Sequence, residues 1–219
     1  MALKFMTGNS ARLIKKPQDF SQKFKYLLVL DFEATCEKEI PINKPEIIEF
    51  PCLAVNTNNW KIENSFHSYV KPKINPILSP FCTDLTGIMQ ETVNDEQHFP
   101  IVFHEFCNWL NDNKYLDDDN NKSAFVTCGD WDLKVMLPAQ CQYDNIQLPN
   151  YLKQWINLKI SFYDAKKHFP KSLRDMLRRL KLERQGTLHS GLYDAINMAK
   201  VIQELGSNYK TVFDITNKN

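Results

Sequence analysis

The apolar run Leu27-Leu28-Val29-Leu30 passes without a turn into Asp31-Phe32-Glu33, and no other stretch limits the possible folds as much. Residues 25–32 read as a central buried strand that ends by presenting two carboxylates. Side chains alternate between the faces of a strand, so Asp31 and Glu33 point the same way. Two anions side by side at the end of a buried strand repel each other and are costly to desolvate. A divalent cation removes that penalty, because Asp and Glu oxygens are hard ligands suited to Mg²⁺ and Mn²⁺. A strand running into an acidic surface turn would look the same, so the choice rests on residues further along the chain.

With 219 residues, 43% hydrophobic and 24% charged, the chain can bury the core of one sizeable α/β domain. Its longest apolar runs span only a few residues, too few for a membrane helix. Around Lys4, Arg12, Lys15 and Lys16 there is no continuous apolar core of a signal peptide. Six cysteines are scattered without a C-x-x-C or zinc-finger spacing. Reduced thiols in an intracellular protein, cytoplasmic or nuclear, are therefore expected. Asn121-Lys122-Ser123 fits a glycosylation sequon and, without a secretory signal, reads as chance. The net charge of +1 conceals a segregation: residues 166–184 hold eight Lys or Arg against Asp175 and Glu183, a net +6 that leaves −5 for the remainder. Such a segment is either a solvated helix face or a surface for a phosphate backbone.

Residues 1–24, polar and basic, read as an N-terminal arm ahead of a domain at 25–219. Strands are expected at 46–55 and 60–70, joined by the turn signal Asn56-Thr57-Asn58-Asn59, so the first three strands form an antiparallel meander. A short helical piece follows around 81–85. Phe99, Val102, Phe103, Phe106, Trp109 and Leu110 then make an amphipathic stripe. Asp117-Asp118-Asp119 is a solvated loop or a cation site. Residues 124–128 form a buried strand, Gly129-Asp130 opens a helix that Pro138 interrupts or ends, and 155–159 form a fifth strand. Leu173, Met176, Leu177 and Leu180 share one helix face, and a last helix from about Ser190 buries Leu192, Ala195, Ile196, Ala199 and Ile202. Three strands followed by alternating helices and strands indicate one mixed α/β domain.

Two further groups join the opening pair. Gly129-Asp130-Trp131-Asp132 places carboxylates at a strand-to-helix junction, with Asp130 and Asp132 both candidates for a role there. His189-Ser190-Gly191-Leu192-Tyr193-Asp194 hangs a histidine from a loop ahead of a helix whose first turns carry Asp194, with Ser190 as its cap and Gly191 loosening the backbone. Together, Asp31-x-Glu33, Asp132 about a hundred residues on and His189-x-x-x-x-Asp194 resemble the DEDDh branch of the 3′→5′ exonucleases. Asp31-Phe32-Glu33-Ala34-Thr35-Cys36-Glu37, Leu85-Thr86-Gly87-Ile88, Gly129-Asp130-Trp131-Asp132, Trp155-Ile156-Asn157 and the His189–Asp194 segment resemble the Eri1-type exoribonucleases in particular. The match runs in order from about residue 25 to 205. Without the N-terminal SAP-type domain of better-known members, the chain looks like the short, catalytic-domain-only subfamily.

The resemblance implies an RNase H-like fold, a mixed five-stranded sheet flanked by helices, and two Mg²⁺ ions, with Mn²⁺ as an alternative. It implies that Asp31 bridges both metals, that Glu33 and Asp194 complete one site, and that Asp132, chosen over Asp130 because it follows Trp131, serves the other through water. His189 would remove the proton from the attacking water, a task that suits a residue type titrating near neutrality. The terminal nucleotide would meet main-chain groups at Glu33 and Ala34, with Leu85, Thr86 and Ile88 bordering its base and Trp131 and His189 beside it. Lys171, Arg174, Arg178 and Arg179 would track the strand upstream of the cut. The expected activity is that of a monomeric exoribonuclease, without a membrane role, releasing 5′-mononucleotides from single-stranded or overhanging RNA 3′ ends. An enzyme acting also on DNA and a non-catalytic RNA- or protein-binding relative are the alternatives, the first because no dedicated 2′-hydroxyl contact can be read.

Overall fold

The computed structural model describes residues 21–116, 123–187 and 189–217. The arm up to residue 20, the Asp117-Asp118-Asp119 loop and the sequon residues Asn121 and Lys122 lie outside the described residues. Strand segments are β1 (Tyr26–Leu30), β2 (Glu33–Ala34), β3 (Ile47–Asn56), β4 (Lys61–Tyr69), β5 (Ser123–Thr127) and β6 (Trp155–Asn157). Helices are α1 (Pro80–Thr86), α2 (Gln90–Asn94), α3 (Phe99–Asp112), α4 (Leu137–Tyr143), α5 (Leu158–Lys166), α6 (Leu173–Leu180) and α7 (Gly191–Ser207).

β1 shows no alternation in sequence because both of its faces are covered. Leu28 and Leu30 join Phe50, Cys52 and Ala54 of β3 and Phe103 and Phe106 of α3 in one core. Leu27 and Val29 point the other way, into a second core with Leu53, Val55 and the α7 residues Ala195, Met198, Ala199 and Ile202. β1 pairs antiparallel with β3 and parallel with β5, β5 pairs parallel with β6, and β4 runs antiparallel along β3. The expected meander is thus β1, β3 and β4. β2 resumes the register of β1 on β3, since Leu30 lies opposite Cys52 and Glu33 opposite Glu49. Six segments therefore make a mixed five-stranded sheet, broken once, at Asp31-Phe32.

Three local expectations are corrected. The strand at 155–159 stops at Asn157, whose side chain accepts from the Lys159 N–H (3.0 Å) and caps α5. Pro138 ends nothing. A π-helical turn, Asp132–Met136, runs directly into α4, whose second residue is Pro138. Ser190 is the N-cap residue of α7, but its side chain makes no capping hydrogen bond. All six cysteines are free thiols. No helix among the described residues is long and apolar enough to cross a membrane.

Candidate active site

The sheet face that is apolar at Leu27 and Val29 becomes acidic at Asp31 and Glu33, beside the N-terminus of α7. Where the ladder breaks, the Phe32 N–H donates to Asp132 Oδ1 at 2.9 Å. That bond ties the π turn after β5 to the end of β1 and buries Asp132 to 5% exposure. Asp130 is engaged elsewhere, its Oδ1 accepting from Trp155 Nε1 (2.9 Å) and Asn157 Nδ2 (3.0 Å). Asp194 comes from the first turn of α7, and its Oδ1 lies 3.2 Å from the Arg184 guanidinium. His189 is exposed in the loop before α7 with φ 55°, a left-handed conformation that costs a residue with a side chain about 1–2 kcal/mol. One ligand atom from each of Glu33, His189 and Asp194 lies within 4.8 Å of the other two.

The electrostatics of this crowd are one-sided. Burial first, then the nearby Asp132, Glu33, Asp194 and Glu49 carboxylates, pushes Asp31 well above the ordinary carboxylate range. Glu33 is pushed up to about 9 by burial, then by Glu49, Asp194 and Asp132. Asp132 rises to about 6 through burial, opposed by the Phe32 hydrogen bond, which favours its anion. Among the described residues no hydrogen-bond donor reaches the Asp31 or Glu33 carboxylate. Converging oxygens that burial and mutual repulsion keep from ionising are the donor set a hard divalent cation requires. The residues present fit such a cation.

Beside Glu33 opens a cavity of about 350 Å³, bordered by Ala34, Cys36, Ile42, Pro45, Leu85 and Trp131. Of the residues expected at the terminal nucleotide, Ala34, Leu85 and Trp131 border this cavity. Thr86 and Ile88 do not, and this corrects the expectation for them. Thr86 is 2% exposed and its hydroxyl donates to the Cys82 carbonyl (2.8 Å), while Ile88 packs with Ile48, Leu78, Cys82 and Val93.

The basic segment is also not uniformly free. Arg178 and Arg179 pair with Asp175 Oδ1 at 2.7 and 3.1 Å, and His168 approaches Oδ2 at 3.4 Å. These partners, led by Arg178, hold the Asp175 carboxyl below the usual range. The Arg178 side chain stays exposed and, with Arg174 and Arg184, lines a groove of about 380 Å³ alongside Leu177 and Leu182. Lys171 and Arg179 are not part of that lining. Arg184 links the groove to the acids through Asp194.

Sequence reasoning missed Glu49. It is 1% exposed and stands opposite Glu33 across the ladder. Its partners, His67 and Gly191, lie 18 and 142 positions away, so no local spacing announces it.

Residues 28–202 match the exonuclease family. ERI1 exoribonuclease 3 of Homo sapiens is 48% identical over 185 residues, which make up 84% of this chain and 54% of that protein. The chain spans about half the length of the curated relatives it matches first. The solved nuclease domain of 3′hExo, a DEDDh family member bound to rAMP, superposes with a TM-score of 0.82 at 36% identity, covering 90% of this chain and 98% of that one. A 3′-exonuclease in 3′-end-specific recognition of a histone mRNA stem-loop superposes with a TM-score of 0.83 at 34% identity, covering 89% and 87%.

Proposed function

Because the chain belongs to the DEDDh exonuclease family, we propose that it is a 3′→5′ exoribonuclease that hydrolyses single-stranded or overhanging RNA 3′ ends to 5′-mononucleotides. The supporting observation is the convergence of Asp31, Glu33, Asp132 and Asp194, with carboxyls at Asp31, Glu33 and Asp132 displaced upward, beside a cavity of about 350 Å³. The family depends on divalent metal, and the carboxylates of Asp31, Glu33, Asp132 and Asp194 would hold two Mg²⁺, with Mn²⁺ as a substitute. Bound there, such cations would supply positive charge against the scissile phosphate and a lowered pKa for a bound water molecule. Every other part of the task falls to this chain's own groups. His189, held in a strained loop at the rim of the cluster, takes the proton from the attacking water. The cavity at Ala34, Leu85 and Trp131 receives the terminal nucleotide and orients its phosphate toward the acids. Arg174, Arg178 and Arg184 hold phosphates of the upstream strand, a contact blind to base sequence. Residues 25–219 make up the catalytic unit, acting as a monomer in the cytoplasm or nucleus.

The test is digestion of 3′-extended, 5′-end-labelled RNA with Mg²⁺, with EDTA, and with an Asp31→Ala variant. A metal-dependent ladder shortening from the 3′ end, absent with EDTA and in the variant, is expected. No ladder on RNA, DNA or overhanging duplex would sink the enzymatic reading, and equal rates on RNA and DNA would remove its ribonucleotide part.

A further inference from the structure

We infer that Glu49 is a positioning residue for the reaction: its buried carboxylate seats the first turn of α7 and thereby fixes where His189 and Asp194 stand. The inference rests on the hydrolytic reading above. A helix begins with N–H groups that have no partner within the helix. At α7 the Ser190 side chain does not supply one. Glu49 does, accepting from the Gly191 N–H at 2.8 Å (Oε2) and from the Leu192 N–H at 3.2 Å (Oε1). His67, on the neighbouring strand, comes within 2.9 Å of Oε1 through Nε2, and its ring meets Tyr69 edge-on at 5.1 Å. A carboxylate only 1% exposed needs such compensation, and the positive end of the helix dipole adds to it.

The seat is close-fitting from the other side as well. A Cβ on Gly191 would stand 2.6 Å from the Asp31 carbonyl oxygen and 3.2 Å from both Glu49 Oε2 and Pro51 Cγ. The helix can therefore start only at a residue without a side chain, pressed against the break between β1 and β2. His189 lies two residues before this contact and Asp194 three after it, with the Asp194 N–H donating to the Ser190 carbonyl at 2.8 Å. The left-handed His189 backbone is thus flanked by this seat on one side and, on the other, by Thr187, whose carbonyl accepts from the Arg184 guanidinium. Freed from Glu49, α7 would retain its apolar packing on Leu27, Val29 and Leu53 but lose the axial position of its first turn. Misplacement of reacting groups by about 1 Å is enough to slow a reaction roughly 100-fold.

Glu49→Ala removes both acceptors, whereas Glu49→Gln keeps one oxygen for the helix and removes the charge. For both variants, with wild type and Asp31→Ala alongside, one would measure single-turnover RNA hydrolysis, RNA affinity, Mn²⁺ affinity and amide exchange. In Glu49→Ala we expect hydrolysis to fall roughly 100-fold with RNA affinity within about threefold. Mn²⁺ affinity should weaken, and exchange at Gly191 and Leu192 should quicken while the β1 and β3 amides stay protected. Glu49→Gln should recover most of the rate and the protection. Wild-type hydrolysis in folded Glu49→Ala would overturn the inference. So would unfolding of both variants, since a residue that the whole fold requires is not a positioning residue. Equal loss in the two variants would assign the effect to charge and overturn it too. Wild-type protein inactive on every substrate would instead strike the hydrolytic reading, leaving the exchange data to judge the seat of α7.

Discussion

Glu46 and Glu33 lie near the same end of the sheet, and their surroundings treat them in opposite ways. Glu46, 3% exposed, accepts hydrogen bonds from the Lys73, Ile74 and Asn75 N–H groups at 2.7, 2.8 and 2.6 Å. Glu33 receives no such bond among the described residues, faces other carboxylates, and holds its proton up to about pH 9. Asp175 extends the contrast, since two arginines and a histidine hold it ionised below the usual range. Burial alone therefore does not mark a site. What separates Glu46 and Asp175 from Asp31 and Glu33 is whether the fold supplies positive charge or N–H dipoles, or leaves the demand for them open.

The contrast is sharpest at Asp31. Asp31→Ala should reduce metal-dependent hydrolysis by at least roughly 10³-fold while leaving the metal-free Tm unchanged or higher, because a repelling acid has been removed. A folded, fully active Asp31→Ala protein in the labelled-RNA assay would break the comparison. Glu46→Ala should do the reverse. Taking the acceptor from three part-buried N–H groups should lower unfolding free energy by about 1–3 kcal/mol, read by urea denaturation, with turnover per folded molecule preserved.

The pH dependence is set by the signs of the shifts. Glu33 and Asp132 have folded pKa values above their ordinary ones, so the folded chain retains protons that the unfolded chain releases. Stability of the metal-free protein should therefore decline as pH rises from about 4.5, through the Asp132 range near 6, toward about 9. Added Mg²⁺ should offset the decline, so the metal-induced rise in Tm should grow with pH over that window. A metal effect constant across it would mean that the ion does not relieve these acids. The smallest effect belongs to the groove. Replacing Arg174 and Arg178 with alanine should weaken RNA binding several-fold and flatten the log–log salt dependence by about 0.7 for each phosphate no longer neutralised.

The same contrast governs what could be read from residues alone. β1, α3 and α7 are legible because period and composition are local properties: Leu27–Leu30 is uniformly apolar, and Phe99, Phe103 and Phe106 recur at helical spacing. Asp31, Glu33, Asp132, His189 and Asp194 stand out through short motifs in order. α5 was hidden because its start depends on the Asn157 cap rather than on a strong apolar stripe. Thr86 and Ile88 share a motif with Leu85 yet point into the core, and a motif does not record which way a side chain faces. Glu49 was least legible, since its three partners come together only when β3, β4 and α7 have assembled.

The π turn at Asp132–Met136 has a consequence of a different kind. It winds the chain with one residue more per turn than an α-helix would use. Deleting a single residue there would let an ordinary α-helical turn close in place of the wide one that the Leu137 N–H now closes on the Asp132 carbonyl. The contact of Asp132 with the Phe32 N–H is thus made from a turn that a segment one residue shorter could not form. The turn that carries this acid is set by a residue count, which a motif does not record.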